Sequence, residues 1–143
     1  MTARPGPRPA DLIRRAHARL DALYRAAEPP LTMPQFVLLE GLKRHGPIAA
    51  RQLLERVGMD RSTGNHLLKR LREDGLIEAG PRTGFQVGGI PSLLTISATG
   101  NAARFKAEAD LWRAEKRLLA RLTMQERAQF LNCLTTAAFG EKP

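Results

Sequence analysis

Apolar side chains recur at helical spacing along most of this chain. Leu12, Ile13, Ala16, Leu20, Leu23, Tyr24 and Ala27 share one face of a first helix, which Pro29 and Pro30 must stop. Its other faces carry Arg14, Arg15, Arg19 and Arg25. Thr32-Met-Pro-Gln35 spells a capping box with proline in the first turn, so a second helix begins there. That helix runs through Phe36, Val37, Leu39 and Leu42 and ends at His45-Gly46-Pro47.

The pattern then shortens. Residues 48–57 predict a brief helix with Leu53, Leu54 and Val57 inward, and Gly58 supplies the turn that follows it. A basic helix over 61–73 closes at Asp74-Gly75. Residues 76–79 predict a strand, 80–91 a glycine-rich loop, and 92–96 the returning strand of a hairpin. Ser97 caps a long helix reaching about Leu122, with Phe105, Ala109, Trp112, Leu119 and Leu122 among its apolar residues. Thr123-Met-Gln-Glu126 is a second capping box, opening a last helix striped by Phe130, Leu131, Leu134, Ala137 and Ala138.

A short helix, a glycine turn, a longer basic helix and a hairpin describe a winged helix-turn-helix, which sets one helix into the major groove of DNA. The fold class expected is mainly α with a small β-hairpin. Residues 1–9 read as a flexible N-terminal arm, 10–30 as an N-terminal helix, 31–97 as the winged helix-turn-helix, and 98–143 as a C-terminal helical part.

Composition narrows the partners. Lys and Arg total 23 against 14 Asp and Glu, a formal net charge of +9, which favours a polyanion without distinguishing DNA from RNA or an anionic membrane. No apolar run reaches the ~20 residues needed to span a bilayer. The proline-rich start has no apolar core resembling a secretory signal, and the single Cys133 rules out an intramolecular disulfide framework. A cytoplasmic protein is expected. Cys133 borders the last apolar stripe, so a packed thiol is expected there.

The 61–73 helix divides cleanly. At ~100° per residue, Gly64, Leu67, Leu68 and Leu71 fall on the core side. Opposite lie Ser62, Asn65, His66, Lys69 and Arg70, with Arg61 and Thr63 near the start. Cations for phosphate thus stand beside small polar groups that reach base edges. Taken singly, Lys69 and Arg70 also fit solvated charges, and Ser62 or Asp60 a mere cap. No catalytic elbow, phosphate loop or paired metal motif occurs, so neither an enzyme nor a cofactor nor a metal is expected.

The chain resembles the MarR family of winged-helix transcription regulators. The likeness rests on Leu31-Thr-Met-Pro-Gln-Phe36, His45-Gly-Pro47, Met59-Asp-Arg-Ser-Thr63, Leu71-Arg-Glu-Asp-Gly-Leu-Ile77 and Ile96-Ser-Ala-Thr-Gly100. It implies a homodimer whose first and last two helices interleave, binding double-stranded DNA at a pseudo-palindromic operator, as a repressor. It also implies release of DNA by a small aromatic anion held between the dimerisation helices and the reading head. Arg14, His17 and Tyr24 are the residues considered for that anion, with surface and dimer-packing roles as the alternative.

The wing departs from the family. Gly88-Gly89-Ile90 stands where the family carries Asp-Arg-Arg, and Arg82 is the basic residue left in the loop, counted among the candidate DNA contacts. Phe85, Val87 and Ile90 make the loop apolar. Three explanations stand: a mobile wing, a wing packed inward or on a partner, or a scaffold that has lost strong DNA binding. The last two make a protein-interaction module the alternative function.

Overall fold

The computed structural model describes residues 6–80 and 92–140. Along them run α1 (Pro9–Arg25), α2 (Met33–His45), β1 (Ile48–Ala49), α3 (Ala50–Val57), α4 (Arg61–Glu73), β2 (Ile77–Ala79), β3 (Leu93–Ile96), α5 (Ala98–Leu118) and α6 (Met124–Phe139). None of these helices is long and apolar enough to cross a membrane.

Both capping boxes form. The Thr32 hydroxyl accepts from the Gln35 amide at 3.3 Å while Gln35 Oε1 accepts from the Thr32 amide at 3.0 Å. Thr123 and Glu126 repeat the exchange at 3.1 and 2.8 Å. Each box satisfies two amides that a helix start otherwise leaves open.

The expected helix over 48–57 starts only at Ala50. Ile48 and Ala49 are instead a strand, opposite Leu94 and Leu93 of β3, so the hairpin becomes a three-stranded antiparallel sheet in the order β1-β3-β2. The cause is strand pairing and burial: both residues are buried beside β3, and Ala49, itself the N-cap of α3, keeps extended backbone at φ -68 and ψ 146. On the other side of β3, Ile77 faces Ile96 and Ala79 faces Leu94.

One core joins these elements. Leu38, Leu39 and Leu42 of α2, Leu53 and Leu54 of α3, and Leu68 and Leu71 of α4 are buried against Ile77 and Leu94 of the sheet. Leu54 fits only because Gly64 has no side chain; a Cβ there would overlap the Leu54 methyl groups. The two helices of the motif therefore cross at close range.

α5 departs from expectation twice. It ends at Leu118 rather than near Leu122, because Leu119 leaves helical geometry and a turn leads to the Thr123 cap. Its inner face is Gly100, Arg104, Ala107, Asp110 and Ala114, whereas Phe105 and Trp112 are 69% and 57% exposed. α6 buries no residue of its own chain: Phe130, Leu131 and Leu134 remain open, and Cys133 is exposed rather than packed.

Candidate nucleic-acid interface

α4 is built from both ends. Asp60 Oδ2 accepts from the Thr63 amide at 2.9 Å, and that donation holds the Asp60 carboxyl below the usual carboxylate range. The Thr63 amide is thus already engaged, and a negative charge sits at the helix start. Gly58, in left-handed geometry at φ 70, turns the chain from α3 into this cap. At the far end Asp74 and Gly75 stop the helix, and Gly75 takes φ 73.

Gly64, Leu68 and Leu71 are buried and Leu67 is half-buried, so the helix is fixed about its axis. Arg61, Ser62, Thr63, Asn65, His66, Lys69 and Arg70 are all exposed. They form the outward side of the helix, an exposed ridge with cations at its start (Arg61) and its end (Lys69 and Arg70) and polar groups between. Arg70 stands 4.0 Å from Asp74, with both side chains more than half exposed, a pairing weak enough to yield to a phosphate. Arg82, the remaining candidate, lies outside the described residues, as do Phe85, Val87, Gly88, Gly89 and Ile90.

A second feature reaches the residue before the cap of α4. A crevice of about 820 Å³ opens between α1, the 28–35 segment, Val37 and Met59. Met59 directly precedes the Asp60 cap, so the crevice touches the start of α4. Of the three residues considered for an anion, only His17 lines it. Arg14 points to Asp11 at 3.9 Å, both well exposed. Tyr24 is fully buried, and its hydroxyl donates to the Leu31 carbonyl at 2.7 Å. Burial, and behind it the carboxylates of Asp110 and Asp21, push the phenol up to about 12. Tyr24 thereby pins the wall of the crevice from behind.

The residues that sequence reasoning missed are Asp21 and Arg25, which line the crevice one and two turns after His17. Their ion pair measures 2.8 Å, with Asp21 30% exposed and Arg25 72% exposed. The i, i+4, i+8 spacing from His17 was the available signal. What sequence cannot supply is which face of α1 meets the 28–35 segment.

The sequence pattern of the MarR family matches residues 31–83. Over 125 residues the chain is 31% identical to the HTH-type transcriptional repressor Rv2887 of Mycobacterium tuberculosis, covering 86% of this chain and 88% of that one. Over 75 residues it is 33% identical to the HTH-type transcriptional repressor NicR of Pseudomonas putida, a match spanning 51% of this chain and about half, 48%, of NicR. The PcaV transcriptional regulator of Streptomyces coelicolor, solved with its natural ligand, superposes with a TM-score of 0.83 at 28% identity, covering 99% of this chain and 100% of that one. Rv2887 has been solved in complex with DNA and, separately, with salicylic acid; the DNA complex superposes with a TM-score of 0.69 at 26% identity, over 92% of this chain and 98% of that one. All three carry the names of transcription regulators rather than enzymes.

Proposed function

The chain belongs to the MarR family, and on that footing we propose that it is a DNA-binding transcription regulator acting as a homodimeric repressor. The observation that carries this reading is the ridge on α4. A helix locked by Gly64, Leu68 and Leu71 presents Ser62, Asn65 and His66 beside Lys69 and Arg70, on the side away from the core. Asn and His at that position read base edges, and the cations take flanking phosphates. The family name of Rv2887 and its complex with DNA support the same reading.

The dimer is supported by what α1, α5 and α6 leave open. Leu12 and Ile13, Trp112, and Phe130, Leu131 and Leu134 are each 39–60% exposed in the single chain. A second copy would cover them and set two α4 helices about one turn of DNA apart, matching a pseudo-palindrome. Occupancy of promoter DNA then suffices for repression, in the cytoplasm where that DNA lies.

The crevice beside α1 is the place for a small aromatic acid. That Rv2887 forms a complex with salicylic acid, and PcaV one with its natural ligand, supports a small-molecule effector; the choice of this crevice rests on its lining beside α1. Contact with Met59 gives such a ligand purchase on the start of α4, so it acts by favouring a dimer whose reading heads are wrongly spaced.

Selection of duplex fragments from genomic DNA by the purified protein tests the reading. Enrichment of an inverted repeat is expected. A folded protein that retains no duplex at modest ionic strength overturns it.

A further inference from the structure

A single hydroxyl joins the end of α4 to the start of α5. Ser97 Oγ accepts from the Gly100 amide at 2.9 Å, the ordinary bond of a helix N-cap. The same oxygen donates its proton to the Gly75 carbonyl at 2.7 Å, across 22 positions of sequence. Gly75 is the left-handed residue in the turn that closes α4. Capping needs an acceptor alone, whereas here the hydroxyl spends its donor as well, one bond on each helix. Two further contacts tighten the joint. The Ser97 amide donates to the Leu76 carbonyl at 3.1 Å, and that carbonyl lies so near Gly100 that a Cβ there would overlap it. Ser97 is 8% exposed, so water competes little for either bond.

We infer that Ser97 is a positioning residue for DNA binding: it pins α4 to α5 and so fixes how the two α4 helices of a dimer are set relative to each other. The inference rests on the dimeric reading given above and deepens it. α5 packs on α1 and presents Trp112 where a second copy would dock, while its first turn carries the Ser97 joint. Slack at that joint leaves the exposed side of α4 intact but lets it shift against its counterpart. Each head still holds its own half of the duplex. Two heads together gain over one only as far as they are already set to the spacing of the site, because slack must be frozen out on binding. Ser97 therefore strengthens two-headed binding and leaves one-headed binding alone.

The test uses an inverted repeat enriched from genomic DNA by the parent protein, and the same duplex with one half scrambled. Both are titrated with the parent, Ser97→Ala, Ser97→Thr and Ser97→Asp, each at a temperature where circular dichroism shows it folded. Ser97→Ala is expected to lower the ratio of the two affinities about tenfold, with the half-scrambled duplex bound as by the parent. Ser97→Thr keeps the hydroxyl and restores the ratio. Ser97→Asp still caps α5 but, ionised, has no proton for Gly75, so it behaves as Ser97→Ala and carries the comparison if the alanine variant does not fold. A role confined to capping would leave Ser97→Asp like the parent, and a general loosening would weaken both duplexes together. Either result, or an unchanged ratio in Ser97→Ala, overturns the inference while the repressor reading stands. A parent protein that enriches no inverted repeat overturns both.

Discussion

Arg104 on α5 donates through Nη1 to Glu40 Oε2 on α2 at 2.9 Å, with the Arg104 side chain only 10% exposed. The same guanidinium reaches Glu108 at 3.2 Å and Asn101 at 3.2 Å, while the other oxygen of Glu40 accepts from Arg44 at 3.1 Å. The network satisfies a cation that could not otherwise lie this deep, and it ties the helix that packs on the reading head to the one that leads away from it. Arg104→Met is expected to cost about 2–3 kcal/mol in denaturant unfolding, the value of hydrogen bonds to charged groups, since Glu40 keeps Arg44. Arg104→Lys recovers part of this, because an ammonium lacks the fork that spans three partners.

Tyr24 is the single tyrosine of the chain, so tyrosinate absorbance reports it alone. In the folded protein its titration is expected near 12, not at the ordinary value of 10.0. The sign follows from a raised value. The buried neutral phenol contributes stability that is whole below pH 10 and lost as pH rises from there toward 12. Tyr24→Phe removes the bond to Leu31, lowers stability at neutral pH by about 1 kcal/mol, and abolishes this alkaline step.

The Asp60 cap gives the opposite sign. Its carboxyl is held low by the Thr63 amide, so its contribution is present at neutral pH and fades as pH falls below the usual carboxylate range. Hydrogen exchange of the first turn of α4 is expected to accelerate there. Asp60→Ser keeps a cap that does not titrate and removes the acid sensitivity; Asp60→Ala loses protection at every pH.

Gly64→Ala puts a methyl group into the Leu54 side chain. Overpacking of that kind costs about 1–3 kcal/mol and pushes α4 off α3. Leu54→Ala on the same chain opens the space again, so the double variant should be less destabilised than the sum of the two. Thermal melts of all four proteins make the comparison.

On the proposed DNA ridge, Lys69→Ala and Arg70→Ala should weaken every duplex alike, and each should reduce the salt slope of binding by about one if its cation neutralises one phosphate. Asn65→Ala and His66→Ala should instead change which sequences are retained. Binding measured at several salt concentrations separates the two behaviours.

The α4 helix was legible because two signals agree along it. Gly64, Leu67, Leu68 and Leu71 recur at the helical period, and Asp60 and Gly75 punctuate its ends, so its bounds over 61–73 match the structure. The short strand β1 was not legible. Two residues carry no period, and Ile48 is buried in a strand only because Leu94 comes back beside it from far along the chain. α5 misled for a related reason. Its largest apolar residues, Phe105 and Trp112, point out of the chain, while small Ala107 and Ala114 admit α1 and α2 closely, so size was a poor guide to the inner face. The crevice charges escaped notice because Asp21 and Arg25 look like an ordinary i, i+4 surface pair until the 28–35 segment comes to line the same crevice.

α6 has its ends fixed by a capping box and a left-handed glycine, yet sinks none of its sixteen residues into its own protomer. Local signals of this kind seldom hold so short a helix in water. Paired through that face, the regulator would owe its last helix to a neighbour. Dilution would then loosen the carboxyl-terminal end before the reading head, and the number of molecules in the cell would govern how complete each one is.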